Sequence, residues 1–247
     1  MAVQTKGFCK YCGKEYTRGG MLRHLQTCKK RTMKLAEEKG KRRCRHFQIV
    51  ISGKYVKDYW LIVETSENTT LKELDQFIRD IWVECCGHLS AFTVHGEQYE
   101  SSPDTDGFWG MPPARNMNYR LKDIVDVGDS LLYEYDFGST TELILGIHSC
   151  REGEKKNSEI VILSRNNPPK IVCSNCGQNE AKWVNSEGYY EGEPFWCDEC
   201  LDVENDDEEG ECYEPEFLLP ICNSPRMGVC GYEGSDIYPD QFEADKE

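Results

Sequence analysis

Two groups of cysteine and histidine residues have the spacing of metal ligands. In the first group Cys9, Cys12, His24 and Cys28 are separated by two, eleven and three residues. Zinc prefers four such ligands in a tetrahedron, and a turn with two cysteines facing a helix with histidine and cysteine supplies them. A fragment this small has too little apolar core to fold without metal. We therefore predict a Cys₂HisCys zinc finger at the N-terminus.

The second group consists of four cysteines near the C-terminal end. Cys173 and Cys176 form one C-x-x-C pair, and Cys197 and Cys200 form another after twenty intervening residues. Two such pairs at this distance are typical of a zinc ribbon. Four protein ligands leave no position for a catalytic water, so we predict a structural site. An iron site of the rubredoxin type uses the same four cysteine ligands and is the alternative interpretation. The expected cofactor is Zn²⁺, two ions per chain.

The remaining seven of the 14 cysteines lack this spacing. We expect Cys85 to belong to the core and the others to be ordinary thiols. Cys212, Cys222 and Cys230 could hold a third metal, although they do not form C-x-x-C pairs. The N-terminus lacks the apolar stretch of a secretory signal, so we expect a cytoplasmic protein whose C-x-x-C pairs hold metal rather than disulfides.

Basic residues follow the predicted finger directly. Residues 1–47 contain 14 Lys and Arg against three acidic residues, although the net charge of the whole chain is −15. We predict a phosphate-binding surface here, with a solvated helical linker as the alternative. The residues assigned to that surface are Arg18, Arg23, Lys29, Lys30, Arg31, Lys41, Arg42 and Arg43. One finger reads about three base pairs, so binding should be salt-sensitive and weakly sequence-specific.

The metal motifs flank a central domain with mixed secondary structure. Alternating apolar residues predict strands at 47–52, 59–63, 91–94, 131–137, 143–147 and 160–163. Thr70 and Glu73 form a capping box that begins a helix with one apolar face. This order predicts an α+β fold, with a single helix packed on a mixed or antiparallel sheet in a β-grasp-like core.

Composition changes mark the boundaries along the chain. Adjacent prolines follow the central domain, and residues 202–216 contain nine acidic residues. No apolar run approaches the roughly 20 residues that cross a bilayer, so we expect no membrane partner. The predicted parts are a finger with basic linker (1–43), the α+β domain (44–166), the ribbon (171–203) and an acidic linker and tail (204–247).

Four segments of the central domain match a known pattern. They are the strand at 47–52, the helix start at 69–71, residues 88–94 with Gly96 and Tyr99, and the string Y-E-Y-D-F-G at 133–138. Through them residues 44–149 resemble the plasmid pRiA4b ORF-3-like family. The finger, the ribbon and residues 223–232 resemble a zinc-binding branch of it. The resemblance implies a bacterial or archaeal origin and a link to mobile elements, but no established activity. Many members continue the string with an acid, a Trp and later a His, where this chain has S-T-T-E.

Function is predicted from these parts together. His88 and Asp136 lie in two matching segments and are a possible site of the central domain. The sequence contains no G-x-S-x-G, P-loop, Rossmann or H-E-x-x-H motif that would indicate a reaction class. We therefore predict a non-enzymatic adaptor of mobile-element type that contacts DNA or RNA through its finger and basic arm. The alternatives are a protein–protein interaction module with structural zinc, and a hydrolase that uses His88 and Asp136.

Overall fold

The computed structural model describes residues 5–38, 42–103, 114–154, 159–186, 195–201 and 217–245. The chain divides into two compact units, which we describe separately. The first comprises Met1–Arg79, His88–Asn167 and Gln241–Glu247, and the second comprises Asp80–Gly87 and Pro168–Asp240. No helix in the described residues is both long and apolar enough to span a lipid bilayer.

The first unit is built on a sheet to which its described residues contribute eight strands. The strands, in chain order, are β3 (Arg43–Gly53), β4 (Trp60–Ser66), β5 (Ser90–Val94), β6 (Glu97–Glu100), β7 (Arg115–Asn116), β8 (Ser130–Tyr135), β9 (Thr141–Glu154) and β10 (Val161–Arg165). Their spatial order is β10-β4-β3-β9-β8-β5-β6-β7. Neighbours are antiparallel apart from the parallel pair β6–β7. The predicted α+β class is confirmed.

A single amphipathic helix covers part of this sheet. Helix α3 (Leu71–Ile78) begins with the predicted capping box, in which Thr70 and Glu73 each satisfy a backbone amide of the other. Leu71, Leu74 and Ile78 on its apolar face are completely buried. A short helix, α4 (Leu121–Ile124), lies between β7 and β8. The core therefore forms where the apolar face of α3 meets the buried positions of the strands.

The N-terminal module, residues 5–38, is a hairpin followed by two helices. Strands β1 (Lys6–Phe8) and β2 (Glu15–Thr17) are antiparallel, and helices α1 (Arg18–Thr27) and α2 (Lys29–Ala36) follow. The backbone N–H of Lys10 donates to the carbonyl of Leu163 in β10 over 2.9 Å. A Cβ at Gly7 would come within 2.0 Å of the Arg165 carbonyl oxygen, so only glycine allows this approach of β1 to β10.

The module shares an apolar cluster with the central sheet. Its buried members are Cys9, Met21, Leu25, Cys28, Trp60, Ile62 and Leu163. Since the last three belong to β4 and β10, the module packs on one edge of the sheet and contributes to the core of the first unit.

The second unit contains a small sheet and an irregular C-terminal segment. Strand β11 (Trp183–Asn185) lies between β12 (Phe195–Trp196) and β13 (Leu218–Pro220). The buried core includes Val184, Leu219, Cys222, Met227 and Tyr232. Residues 218–232, predicted as linker and tail, therefore include a strand and core residues. The acidic stretch 202–216 lies outside the described residues.

The strand predicted at 131–137 ends earlier than expected. Leu131, Tyr133 and Tyr135 are completely buried, as the alternation indicates. Asp136 has φ of 63°, a left-handed conformation that breaks the strand, and Phe137 is 50% exposed. The predicted continuation of the strand through Phe137 is therefore wrong.

Candidate metal centres

The first candidate centre lies in the N-terminal module. Cys9 and Cys12 occupy the turn of the β1–β2 hairpin, where the N–H of Gly13 donates to the Cys9 carbonyl and Gly13 has φ of 67°. Thr17 caps the N-terminus of helix α1, and its side chain accepts from the N–H of Gly20. His24 lies in the last turn of α1, and Cys28 follows the helix directly. The turn and the helix therefore present two ligands each.

The ligand atoms of this centre have the spacing that a tetrahedral ion requires. All four lie within 4.8 Å of one another, with 4.0 Å between the Cys9 and Cys28 sulfurs and 3.2 Å between Cys12 Sγ and His24 Nε2. Zinc–sulfur bonds of about 2.3 Å place two sulfurs about 3.8 Å apart in a tetrahedron. Cys9 and Cys28 are buried, whereas the other two are partly buried. The donor set suits Zn²⁺.

The surroundings of His24 favour a neutral imidazole, and those of Cys9 disfavour a bare thiolate. Burial, with a smaller contribution from Lys14, lowers the pKa of His24 below its usual 6.5. The ring stacks on Tyr16, with 4.4 Å between centroids. Burial raises the pKa of the Cys9 thiol to about 12. An uncompensated thiolate is therefore costly here, and a bound cation would remove that cost.

The second candidate centre is formed by the predicted cysteines of the second unit. The four sulfurs of Cys173, Cys176, Cys197 and Cys200 lie within 4.8 Å of one another, and 4.0 Å separates the sulfurs of Cys176 and Cys197. Cys173 and Cys197 are buried. Burial opposes ionisation of Cys173, but backbone N–H groups of Cys176 and Cys197 outweigh it and lower the pKa to about 6.

Polar contacts from Asn179, Lys182 and Trp183 surround both C-x-x-C pairs of this centre. Trp183 Nε1 donates to Asp198 Oδ1 over 2.8 Å, and Lys182 pairs with the same carboxylate. Asn179 donates its backbone N–H to Cys176 Sγ and its side-chain amide to Cys197 Sγ. Hydrogen bonds to ligand sulfurs and to neighbouring carboxylates orient metal ligands. The four cysteines can hold a tetrahedral metal ion.

A third cysteine cluster contains Cys230, as the sequence suggested, but with other partners than Cys212 and Cys222. The sulfurs of Cys85, Cys86 and Cys230 lie within 4.8 Å of one another in the second unit. Cys85 is partly buried and the other two are exposed. Cys85 also packs against the apolar core of the second unit, as expected. Cys222 packs in the apolar core instead, and Cys212 lies outside the described residues.

The Y-E-Y-D string of β8 takes part in a buried polar network of the first unit. Asp75 Oδ1 accepts from Tyr133 over 2.8 Å and from Ser90 Oγ over 2.7 Å. Asp75 Oδ2 accepts from Arg79 Nε over 2.8 Å. The Arg79 guanidinium lies 4.8 Å from the ring centroid of Tyr135. These contacts tie α3 to β5 and β8, so they give the string a structural role.

His88 and Asp136 lie together at the end of this network. His88 Nδ1 is 3.6 Å from Asp136 Oδ1, and its ring meets Tyr135 edge-on. The N–H of Asp136 donates to the Leu89 carbonyl, and the N–H of Gly138 donates to the Asp136 carboxylate. The carboxylate therefore holds the turn after β8 as well as facing His88.

The predicted phosphate-binding residues divide into exposed and buried members. Arg23, Lys29 and Lys30 are exposed on α1 and α2, and Arg18 is partly exposed at the start of α1. Arg42 and Arg43 are exposed at the beginning of β3, and Lys41 lies outside the described residues.

Arg31 departs from the predicted phosphate-binding surface. Its guanidinium is buried and donates to Glu64 Oε2 over 2.7 Å and to the Leu25 carbonyl over 2.9 Å. Because these contacts hold α2 on β4, the Arg31 guanidinium is not available to a phosphate. Arg31 is therefore removed from the predicted phosphate-binding surface.

A comparison of the sequence with known protein families finds one matching family. The family model described as "Plasmid pRiA4b ORF-3-like protein" matches residues 46–178, which is more than half of the chain and includes Cys173 and Cys176. No curated protein matches the chain. Among solved structures, the protein of unknown function MM3350 from Methanosarcina mazei Go1 is similar, with 18% identity and a TM-score of 0.42. That similarity covers 49% of this chain and 70% of the other.

Proposed function

This chain belongs to the plasmid pRiA4b ORF-3-like family, and we propose that it is a zinc-stabilised, non-enzymatic adaptor that contacts nucleic acid. In this proposal the N-terminal module is a zinc finger and the four-cysteine centre is a zinc ribbon. The hairpin β3–β4 followed by α3 supports a β-grasp-like core. Thiolate ligands need a reducing compartment, which supports a cytoplasmic location.

The arrangement of charges on the N-terminal module supports this proposal most strongly. Met21 and Leu25 on α1 are completely buried towards the sheet, while Arg23 between them is exposed. Lys29 and Lys30 are exposed in the first turn of α2, next to the buried Arg31. The module therefore has an apolar face against the core and cations on its solvent face, as phosphate contacts require.

The charge distribution along the chain limits which surface can meet a polyanion. Residues 171–247 contain 21 acidic residues against three Lys and Arg. Such a segment repels phosphate, so binding should be confined to the basic N-terminal module and should weaken steeply with salt. DNA and RNA share the phosphate backbone, and both are partners in this proposal.

Removing three exposed cations is expected to reduce nucleic-acid affinity. In the triple variant Arg23→Ala, Lys29→Ala, Lys30→Ala, the affinity for duplex DNA or single-stranded RNA should fall about 10-fold or more at low salt. The slope of log affinity against log salt should become shallower by up to about three, since each lost phosphate contact removes roughly one counterion. Fluorescence anisotropy of a labelled oligonucleotide across a salt series measures both quantities.

A control with the same change of charge is available in the first unit. Lys57, Lys72 and Lys122 are exposed and lie outside the module. Replacing these three with alanine should leave the affinity within about twofold of the wild type. Equal losses in both triple variants would indicate a diffuse charge effect and would contradict a binding surface on α1 and α2.

A protein partner is the second candidate, favoured by one apolar feature. Leu89 and Phe137 are each 50% exposed, and the hydrogen bond from the Asp136 N–H to the Leu89 carbonyl places them on neighbouring backbone segments. Exposed apolar residues that adjoin in this way are typical of contact surfaces. Wild-type chain that shows no DNA or RNA binding even at low salt would favour this candidate over the adaptor.

A further inference from the structure

The third cysteine cluster lies on a scaffold of buried hydrogen bonds within the second unit. Arg79–Val83 is a π-helical turn that leads into Cys85 and Cys86. In this turn Trp82 Nε1 donates to the Asn223 carbonyl over 3.1 Å, and Ser224 Oγ donates to the Trp82 carbonyl over 2.6 Å. Because these groups are buried, the hydrogen bonds fix residues 80–87 and the segment around 223–230 to each other.

The turn that carries Cys230 has an unusual backbone. Cys230 has φ of 53° and Gly231 has φ of 67°, so both residues lie in the left-handed region. This conformation is unfavourable for a residue with a side chain, and such residues concentrate at functional sites. The turn directs the Cys230 sulfur to within 4.8 Å of the sulfurs of Cys85 and Cys86.

A buried cation lies beside the cluster. The Arg226 side chain is completely buried, and its Nη2 donates to Cys85 Sγ over 3.4 Å. Three thiolates around a divalent ion leave one net negative charge, which is costly to bury unless it is compensated. The Arg226 guanidinium provides that compensation.

We propose that Cys85, Cys86 and Cys230 bind a third metal ion, a thiophilic divalent cation such as Zn²⁺. Two cysteines of this set are exposed, whereas the other two sets contain no exposed ligand. The ion at this site therefore exchanges more readily with metal ions in solution.

The number of bound ions tests this proposal directly. Full-length chain is reduced, supplied with zinc alone, freed of excess metal, and analysed by native mass spectrometry. Wild type should carry three ions, and Cys230→Ser and Cys86→Ser should each carry two. Cys150→Ser removes an exposed cysteine of β9 that belongs to none of the clusters and should keep three.

The outcomes separate loss of a ligand from loss of the fold. Since Cys86 is exposed, Cys86→Ser should retain the circular dichroism spectrum of the wild type while losing one ion. Its affinity for nucleic acid should also be unchanged, which keeps this test independent of the proposed function. Wild type with only two ions, or either variant still holding three, would overturn the third site.

Discussion

Replacing Cys9 with serine is expected to remove one metal ion and to lower the free energy of unfolding of the first unit by more than about 4 kcal/mol. Cys9 is completely buried and packs with Trp60, Ile62 and Leu163 of the central sheet. Without its ion, the module has too little core of its own to stay folded. The apolar side chains of β4 and β10 that the module covers would then be exposed to water.

Metal analysis and denaturant unfolding measure the two parts of this result. The matched control is Cys150→Ser, because Cys150 is an exposed cysteine in β9 outside the metal clusters. The control should keep its full metal content and change stability by less than about 0.5 kcal/mol. If Cys9→Ser unfolds at the same denaturant concentration as this control, the ion does not stabilise the first unit.

Glu64→Gln is the second substitution with a large expected effect. The Glu64 carboxylate lies in β4 and accepts from Arg31 over 2.7 Å and from Arg151 over 2.6 and 3.0 Å. Its side chain is only 7% exposed. Removing one partner of a buried charge cluster typically costs about 3–5 kcal/mol, because the remaining charges lose compensation. We expect that loss in the free energy of unfolding, measured at neutral pH.

The pH dependence of this loss identifies its cause. Burial opposes ionisation of Glu64, but Arg151 and Arg31 outweigh it, so its pKa lies below the ordinary value of 4.5. A lowered pKa gives stability that is present above about pH 4.5 and lost as the pH falls through the folded-state pKa. The difference between wild type and Glu64→Gln should therefore shrink in acid.

The control for the buried carboxylate is an exposed one in the same part of the chain. Glu37 pairs with Lys34 on α2, and both side chains are 66% exposed. Such pairs contribute at most about 1 kcal/mol, so Glu37→Gln should be nearly neutral at every pH. A pH-independent loss in Glu64→Gln would point to altered packing instead of charge.

The sequence predicted local features well because few residues determine them. The capping box at Thr70 and Glu73 needs only residues within one helical turn, and it forms as predicted. The two ligand groups are likewise assembled from short segments with fixed spacing, and their side chains do come together. The strands at Phe47 and Leu143 followed from alternating apolar residues and were confirmed, although β3 and β9 are longer than predicted.

The features that the sequence did not predict depend on distant segments. The third cluster joins Cys85 and Cys86 to Cys230, which lies far along the chain and has no C-x-x-C partner. Arg31 stands in a basic stretch, and only the packing of α2 on β4 shows that it faces Glu64. The sequence shows that these residues are cysteines or lie in a basic stretch. It does not show which residues the tertiary fold brings into contact with them.

The central claim is that the metal-held N-terminal module is the part that contacts nucleic acid. The most direct test compares oligonucleotide binding at low salt for wild type, Cys28→Ser in the module and Cys176→Ser in the four-cysteine centre. Each variant removes one ligand from one predicted site. We expect Cys28→Ser to lose most of its affinity and Cys176→Ser to bind like the wild type. Wild-type affinity in Cys28→Ser, or equal losses in both variants, would contradict the claim.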